Sequence, residues 1–283
     1  MCFDLDSRPP IQPIMGGALD GGPFTLDSDD GASILAFRAR AAHPSGAGIL
    51  ILPDVRGLHA YYEELALRYA EHGVDAVAID YFGRTAGLGS RGDDFDYSPH
   101  VGLTRWETLA ADIRAGAAAL RAIRSPSDGA GSGLGQGDGP GTGVGVGVGV
   151  GARSGPERIF VTGFCMGGRL SFVSGTLDLD LAGIIGFYGW PTGASGNGTP
   201  APADVAAAIK APVLAIYGGA DTAIGPEVRD AFDQALDAAG VERRTVTYAG
   251  APHSFFDRKA SDHADASAAA WNEVTTFIER LSA

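Results

Sequence analysis

Short, nearly continuous apolar runs constrain the fold of this chain more than any other feature of its sequence. Each run holds five to eight residues, and several runs are nearly continuous in Val, Ile, Leu and Ala. Strands that are covered by helices on both faces have this composition, whereas a strand with one wet face alternates apolar and polar residues. The runs therefore predict a mostly parallel central sheet. They are Gly48–Leu52, Val74–Asp80, Arg158–Thr162, Leu181–Tyr188, Val213–Tyr217 and Arg243–Tyr248.

Segments between these runs carry helix signals. Thr104 and Glu107 form a capping-box pattern ahead of apolar residues at helical spacing. Pro226 just inside a start and Gly240 just past an end bracket a second helix. A third is expected over roughly 265–281. Strands that alternate with helices predict an α/β fold, a three-layer sandwich with helices flanking both faces of the sheet.

Two parts of the chain lie outside this alternation. Residues 1–30 are rich in Pro, Gly and Asp and are expected to form an extended N-terminal arm, followed by an edge strand over Ser33–Arg40. Residues 125–157 form an insert in which glycine fills every second position from 129 to 151. Alternating glycine loses much entropy on ordering, which favours a flexible surface excursion over a silk-like association element or a lid. We expect a single domain over 1–283, with the insert far from the active site.

Composition and charge exclude several classes of function. Hydrophobic residues make up 45% and charged residues 19% of the chain, the balance of an ordinary soluble protein. The formal net charge of −13 would repel nucleic acid and anionic membranes. The sequence has neither a run long enough to span a bilayer nor an apolar N-terminal signal. A cytoplasmic protein with a small-molecule partner is therefore expected.

The cysteines and histidines predict neither a disulfide framework nor a metal site. The chain has two cysteines, Cys2 and Cys165, far apart in the sequence. Five histidines lack the spacing of metal ligands and have no cysteine partners. They are His43, His59, His72, His100 and His263. No glycine-rich phosphate loop or dinucleotide fingerprint follows the first strand, so no cofactor is predicted.

The strongest local signal is Gly163-Phe164-Cys165-Met166-Gly167-Gly168, directly after a predicted strand and before a helical stretch. A sharp strand-to-helix turn strains the nucleophile's backbone and leaves no room for side chains two residues to either side. The turn also puts the sulfur at a helix N-terminus, which favours the thiolate. A small buried cysteine in a glycine-rich turn is the structural alternative. The motif predicts Cys165 as a nucleophile.

Two further residues fit that prediction. Asp221 follows the run Val213–Tyr217, and His253 follows Arg243–Tyr248. The order nucleophile, acid, histidine is the order of α/β-hydrolases, and strand ends of a parallel sheet meet at one edge. Separately, Asp221 could be a helix cap and His253 a structural histidine. Together they predict a catalytic triad.

The chemistry assigns a role to each member. His253 takes the thiol proton and later helps to deliver water, while Asp221 holds the imidazole tautomer and stabilises its charged form. The amide of Met166 is expected to supply one oxyanion donor. The amide of Val55, in the loop after the first parallel strand, is expected to supply the second.

On these motifs the chain resembles the dienelactone hydrolase (carboxymethylenebutenolidase) family over roughly 46–282, apart from the glycine insert. The most specific segments are GFCMGG, YGGAD, APHSFFDR, LPDVRG and VDAVAIDYFGR. The resemblance implies an α/β-hydrolase fold, a Cys-His-Asp triad and small lactone substrates that carry a carboxylate. It also implies an acidic residue that contacts the resting cysteine and helps to ionise it. The matching position is Asp54, one methylene shorter than the family's glutamate.

The resemblance further implies arginines that hold the substrate carboxylate. Arg258 matches one of them with an offset of one residue, and Arg91, Arg84 and Arg56 are candidates for the second. Aromatic side chains near strand ends are expected to line the pocket or to belong to the core. They are Tyr81, Phe82, Tyr188, Trp190 and Phe255.

Three functions remain open on the sequence. The leading one is a cofactor-free cysteine hydrolase that cleaves a small lactone or ester through a thioester acyl-enzyme. The second is a general carboxylesterase or thioesterase without preference for dienelactones. The third is a non-catalytic ligand-binding protein with the hydrolase fold, against which an intact triad counts, because binding alone needs no general base beside a thiol.

Overall fold

Eight strands form one twisted sheet in the order β1-β2-β4-β3-β5-β6-β7-β8. The computed structural model describes residues 7–123 and 155–283. Strands β3 to β8 run parallel to one another, and β2 runs antiparallel to both β1 and β4. The strands are β1 (Ala18–Asp27), β2 (Ser33–Ala41), β3 (Ala47–Leu52), β4 (Asp75–Ile79), β5 (Arg158–Phe164), β6 (Leu181–Phe187), β7 (Val213–Gly218) and β8 (Arg243–Tyr248).

Helices cover the two faces of this sheet. They are α1 (Ala60–Glu71), α2 (Gly83–Ala86), α3 (Ser98–Val101), α4 (Trp106–Arg121), α5 (Met166–Ser174), α6 (Pro226–Ala238) and α7 (Ala264–Ser282). Gly183 and Gly186 on β6 are three positions apart and so face opposite sides of the sheet. A side chain at Gly183 would meet Phe277 of α7, and one at Gly186 would meet Phe172 of α5. Helices α5 and α7 therefore pack on opposite faces, which confirms the predicted three-layer α/β architecture.

The six predicted strands of the central sheet are confirmed to within two residues at each end. Strands β3, β4 and β7 are buried at every position, as continuous apolar runs require. Helices α6 and α7 also lie where the helix-boundary signals predict them. Burial on both faces, rather than local propensity, is what makes β3, β4 and β7 recognisable in the sequence.

Two local predictions are wrong. Ser33–Arg40 is not an edge strand, because residues 18–27 of the expected N-terminal arm form β1 and pair along β2. Thr104 does not cap α4, because its hydroxyl donates to the carbonyl of Val101 and the helix begins at Trp106. The sequence of β2 shows an alternation of apolar and polar residues. Its partner β1 is too rich in Gly and Asp to be recognised as a strand from the sequence.

The prediction of a flexible glycine insert over 125–157 lies outside the described residues except for 155–157. Among the helices that are described, none combines the length and the apolar character needed to cross a bilayer.

Candidate active site

Cys165 occupies a strained turn between β5 and α5. Its backbone angles are φ 54° and ψ −111°, a conformation that L-residues rarely adopt. The turn is held by hydrogen bonds on both sides. The Cys165 amide donates to the carbonyl of Phe187 at 3.0 Å, and its carbonyl accepts from the amide of Arg169 at 3.1 Å. Such a turn projects the thiol from the sheet edge instead of burying it, and Cys165 is partly exposed.

The glycines around Cys165 are required by close backbone contact. A Cβ atom on Gly163 would collide with the backbone of Gly167. One on Gly167 would collide with the carbonyl oxygen of Leu52, at the end of β3. The predicted need for glycine two residues to either side of the nucleophile therefore has a steric cause in this chain.

His253 and Asp221 meet at the carboxyl ends of β8 and β7. The Nδ1 of His253 lies 2.7 Å from Oδ2 of Asp221. The other carboxylate oxygen of Asp221 accepts from the amides of Ala223, at 2.9 Å, and Ile224, at 3.3 Å. Because Asp221 is an acceptor, Nδ1 carries the proton and donates it, which leaves Nε2 as the nitrogen that can exchange a proton with a thiol.

The site shifts the titration of both groups. Burial raises the pKa of Asp221, but the hydrogen bond from His253 and those from the two amides outweigh it and hold the pKa below its usual value. Burial lowers the pKa of His253, but hydrogen bonds with Asp221 and Cys165 outweigh it and raise the pKa to about 10. The imidazolium of His253 is thus favoured, because it lies between the carboxylate of Asp221 and the sulfur of Cys165.

A cavity of about 490 Å³ opens in front of Cys165 and His253. Met166, Arg169, Tyr188 and Ile224 line it beside them, and residues 190–195 form much of the remaining wall. We call residues 190–199, which follow β6, the β6 loop. Of the aromatic residues predicted near the pocket, Tyr188 and Trp190 line this cavity, whereas Tyr81, Phe82 and Phe255 belong to the buried core.

The two backbone amides expected to bind an oxyanion are those of Met166 and Val55. Met166 is the first residue of α5, and its N–H has no acceptor among the described residues. The N–H of Val55, in the loop after β3, likewise has none within the described ranges. These are the two amides that the sequence predicted, and helix N-terminal amides favour negative charge.

Asp54 is fully buried and bound to two arginines. Its Oδ2 accepts from Arg258 at 2.7 and 2.9 Å and from Arg56 at 3.1 Å. Burial raises the pKa of Asp54, but the two guanidinium groups outweigh it and lower the pKa. The family resemblance implied a contact between this acid and the resting cysteine. In this structure the carboxylate lies instead on Arg56 and Arg258.

A second acid, Asp257, completes what we call the buried ion cluster: Asp54, Arg56, Asp257 and Arg258. The hydroxyl of Tyr62 accepts from the Asp54 amide at 3.1 Å and donates to Asp257 at 3.2 Å. Burial raises the pKa of Asp257, and repulsion from Asp54 raises it further. The ionised form of Asp257 is therefore disfavoured, because burial and the charge of Asp54 outweigh the attraction of Arg258 and Arg56.

The arginines expected to hold a substrate carboxylate are not among the described residues that line the cavity. Arg258 is bound to Asp54. Arg91 is buried on Asp80, with its Nη2 at 2.7 Å from the carboxylate and 2.7 Å from the carbonyl of Gly87. Arg84 binds Asp30 and Asp112. Each of these guanidinium groups already has a carboxylate partner inside the protein.

One residue that the sequence analysis missed lies in the cavity wall. Arg169 is four residues after Cys165, so it occupies the next turn of α5, and it is only 8% exposed. Its guanidinium donates to carbonyls of the β6 loop. The spacing of four residues from the nucleophile was a usable signal, since residues i and i+4 share one face of a helix.

No cluster of His, Cys, Asp or Glu that could hold a metal ion occurs within residues 7–123 and 155–283.

Comparison with known proteins gives one consistent family. Residues 151–282 match the family model of the dienelactone hydrolase family. A predicted carboxymethylenebutenolidase of Escherichia coli (strain K12) is 26% identical over 263 residues, covering 91% of this chain and 86% of the relative. One from Saccharolobus solfataricus is 27% identical over 263 residues, covering 89% and 96%.

Solved structures agree in fold. A predicted dienelactone hydrolase from Klebsiella pneumoniae superposes with a TM-score of 0.70 at 22% identity, covering 92% of this chain and 98% of that one. A dienelactone hydrolase-like promiscuous phosphotriesterase from metagenomic libraries superposes with a TM-score of 0.66 at 20% identity, with coverage of 92% and 98%. The sheet topology is that of an α/β-hydrolase, and these similarities support the dienelactone hydrolase family as the one that this chain most resembles.

Proposed function

We propose that the protein hydrolyses small carboxylic esters or lactones, with Cys165 as the nucleophile and a thioester as the intermediate. The observation that carries this proposal is the strained Cys165 at the wall of a cavity that His253 also lines, with Asp221 2.7 Å behind the imidazole. Similarity to the dienelactone hydrolase family supports an ester-hydrolysing enzyme. A reduced thiol nucleophile also suits the cytoplasm, where thiols stay reduced.

In the first half-reaction the proton that Cys165 and His253 share is on Nε2 of the imidazole, and the sulfur attacks the substrate carbonyl. The amides of Met166 and Val55 stabilise the oxyanion that forms. The carbon–oxygen bond then breaks, and the alcohol leaves with the proton returned by His253. In a lactone this alcohol stays attached to the acyl chain, so the ring opens and the whole molecule remains on Cys165.

In the second half-reaction a water molecule attacks the thioester. His253 accepts the water proton, the oxyanion forms again at the same two amides, and the carbon–sulfur bond breaks. The carboxylic product leaves and the thiol is restored. Asp221 takes no proton in either step, because its role is to fix Nδ1–H and to stabilise the imidazolium.

Cleavage of 4-nitrophenyl acetate tests the proposal. Wild type should release nitrophenolate, and Cys165→Ala should fall to the uncatalysed rate because no acceptor of the acyl group remains. Mass spectrometry of the quenched wild type should find the acyl group on Cys165. Turnover that survives in Cys165→Ala would overturn the proposal.

A general carboxylesterase is the second candidate, and one observation favours it. Arg258 and Arg91, the arginines expected to recognise a carboxylate, are bound to Asp54 and Asp80. Rates on cis- or trans-dienelactone against those on simple neutral esters separate the two candidates. A preference for the dienelactone supports the first, and equal rates support the second.

A further inference from the structure

The charge in the substrate cavity comes from three side chains. Of the described residues that line it, Cys165, Arg169 and His253 can carry a charge, and no carboxylate is among them. Cys165 and His253 exchange one proton between them, so their combined charge is the same in either form. The guanidinium of Arg169 is thus a permanent positive charge in a wall that has no permanent negative one.

Arg169 differs from Arg56 and Arg91, which are bound to carboxylates, because its own partners are backbone carbonyls. Its Nη1 donates to the carbonyls of Trp190, at 3.2 Å, and Thr192, at 3.1 Å. Its Nη2 donates to those of Gly193, at 2.7 Å, and Thr199, at 3.0 Å. No carboxylate lies within ion-pairing distance of Arg169 among the described residues. Carbonyl oxygens satisfy its hydrogen bonds but leave its full charge uncompensated.

Burial of such a charge is costly. Burial lowers the pKa of Arg169, and Asp204 exerts only a weaker opposing effect from beyond contact. The Nε atom is buried without a hydrogen-bond partner in the described structure. A buried cation without a counter-ion destabilises a fold unless something else compensates it. A bound anion in the adjoining cavity would supply that compensation.

We propose that Arg169 is the residue that selects anionic substrates in this protein, in place of Arg258 and Arg91. It acts through the field of its charge, because its four Nη hydrogens already bind the β6 loop. Attraction between charges falls slowly with distance and is strong where water is excluded, so no direct hydrogen bond is needed. The substrate class is an ester or lactone whose acyl part carries a carboxylate. This inference rests on the proposed esterase function.

The same side chain also holds the cavity wall in place. The four carbonyls that Arg169 binds belong to the β6 loop, so its loss would loosen the wall for every substrate. A purely structural role and a charge-selective role are therefore separated by comparing two substrates of the same shape. Methyl 4-nitrophenyl adipate is neutral, and 4-nitrophenyl hydrogen adipate carries one carboxylate at the far end of the same chain.

The measured quantity is the ratio of kcat/KM for the anionic substrate to kcat/KM for the neutral one. In Arg169→Gln this ratio should fall at least tenfold, or about 1.4 kcal/mol. In Arg169→Lys the charge remains and the loop contacts are reduced, so both rates should fall while the ratio stays near that of wild type. For the anionic substrate, the increase in KM in Arg169→Gln should be larger than the decrease in kcat.

Arg121→Gln is the matched control. Arg121 is exposed on α4 and also donates to backbone carbonyls, those of Leu179 and Asp180. Its replacement changes the net charge by the same amount far from the cavity, so the ratio should not change. A ratio in Arg169→Gln within twofold of wild type would overturn the inference while leaving the esterase proposal intact.

Inhibition of the wild type provides a test that needs no variant. Adipamate and adipamide share one amide end and differ only in whether the far end is a carboxylate or a second amide. Adipamate should compete with the neutral ester at least tenfold more strongly than adipamide does. Equal inhibition constants would contradict selection by Arg169 even if Arg169→Gln failed to fold.

Discussion

The proposed catalytic triad and the buried ion cluster are built from the same kinds of residues, yet they are suited to opposite tasks. Both pair acids with a cation, and both use the segment from His253 to Arg258. His253 faces the cavity, and its side chain keeps a third of its surface exposed. Asp54 is sealed from solvent and bound by Arg56 and Arg258.

The difference lies in how each charge is compensated. In the triad the carboxylate of Asp221 pairs with the imidazole of His253, which can gain or lose a proton. The pairing raises the pKa of His253, and a proton can still leave the imidazole. In the cluster each guanidinium charge is permanent, so no proton transfer follows from the pairing. The comparison teaches that accessibility to the cavity and a titratable partner, rather than the presence of an acid–base pair, mark a catalytic site.

The prediction with the largest expected effect concerns the catalytic rate when the proposed triad is changed. Asp221→Asn should reduce kcat/KM about 10,000-fold, because an amide cannot hold the Nδ1–H tautomer or stabilise the imidazolium. Steady-state hydrolysis of an aryl ester measures it. Asp237→Asn, which changes a surface acid on Arg243, is the control and should leave the rate unchanged. A loss below tenfold in Asp221→Asn would remove Asp221 from the mechanism.

A second prediction concerns the turn that presents the nucleophile. Gly167→Ala should lower the free energy of unfolding by about 3 kcal/mol or more, because the new Cβ collides with the carbonyl of Leu52. Urea denaturation measures this loss. Gly22→Ala is the matched control, since a Cβ at Gly22 in β1 would meet nothing within 4 Å. Equal stability of the two variants would show that the turn is not sterically locked.

A third prediction separates the two acids of the buried ion cluster. Asp54→Asn should destabilise the fold by about 3 kcal/mol, because it leaves two buried guanidinium groups without their carboxylate. Asp257→Asn should cost less than about 1 kcal/mol, because burial and Asp54 already disfavour the charged form of Asp257. Chemical denaturation of both variants tests this. The opposite order would mean that Asp257 carries the compensating charge.

The smallest expected effect is a pH dependence of stability. The pKa of His253 is raised from its ordinary value of 6.5 to about 10 in the folded protein. The stabilisation is therefore complete below pH 6.5 and is lost as the pH rises through about 10. After allowance for its partial exposure, it should amount to about 1 to 2 kcal/mol. The stability difference between wild type and His253→Gln should shrink over this range. A constant difference would refute the ion pair.

Much of the fold and of the triad could be predicted from the sequence because local patterns carry them. Continuous apolar runs identified strands buried on both faces. Gly163 and Gly167 marked a turn in which backbones touch, and the order Cys165, Asp221, His253 placed three side chains at strand ends. Each of these constraints acts through burial, sterics or topology, and each requires particular residue types at a fixed spacing or in a fixed order in the sequence.

Only the tertiary structure decided which arginines remain available for a ligand. Arg258, Arg91 and Arg169 look equivalent in sequence, but the first two bind Asp54 and Asp80, whereas Arg169 binds carbonyls of the β6 loop. The partners of Arg258 and Arg169 are 204 and up to 30 residues away along the chain. Charges pair with whatever the fold brings near, and no local pattern records such long-range contacts. The sequence by itself determined the architecture and the catalytic residues to test, and the assembled fold determined where uncompensated charge remains.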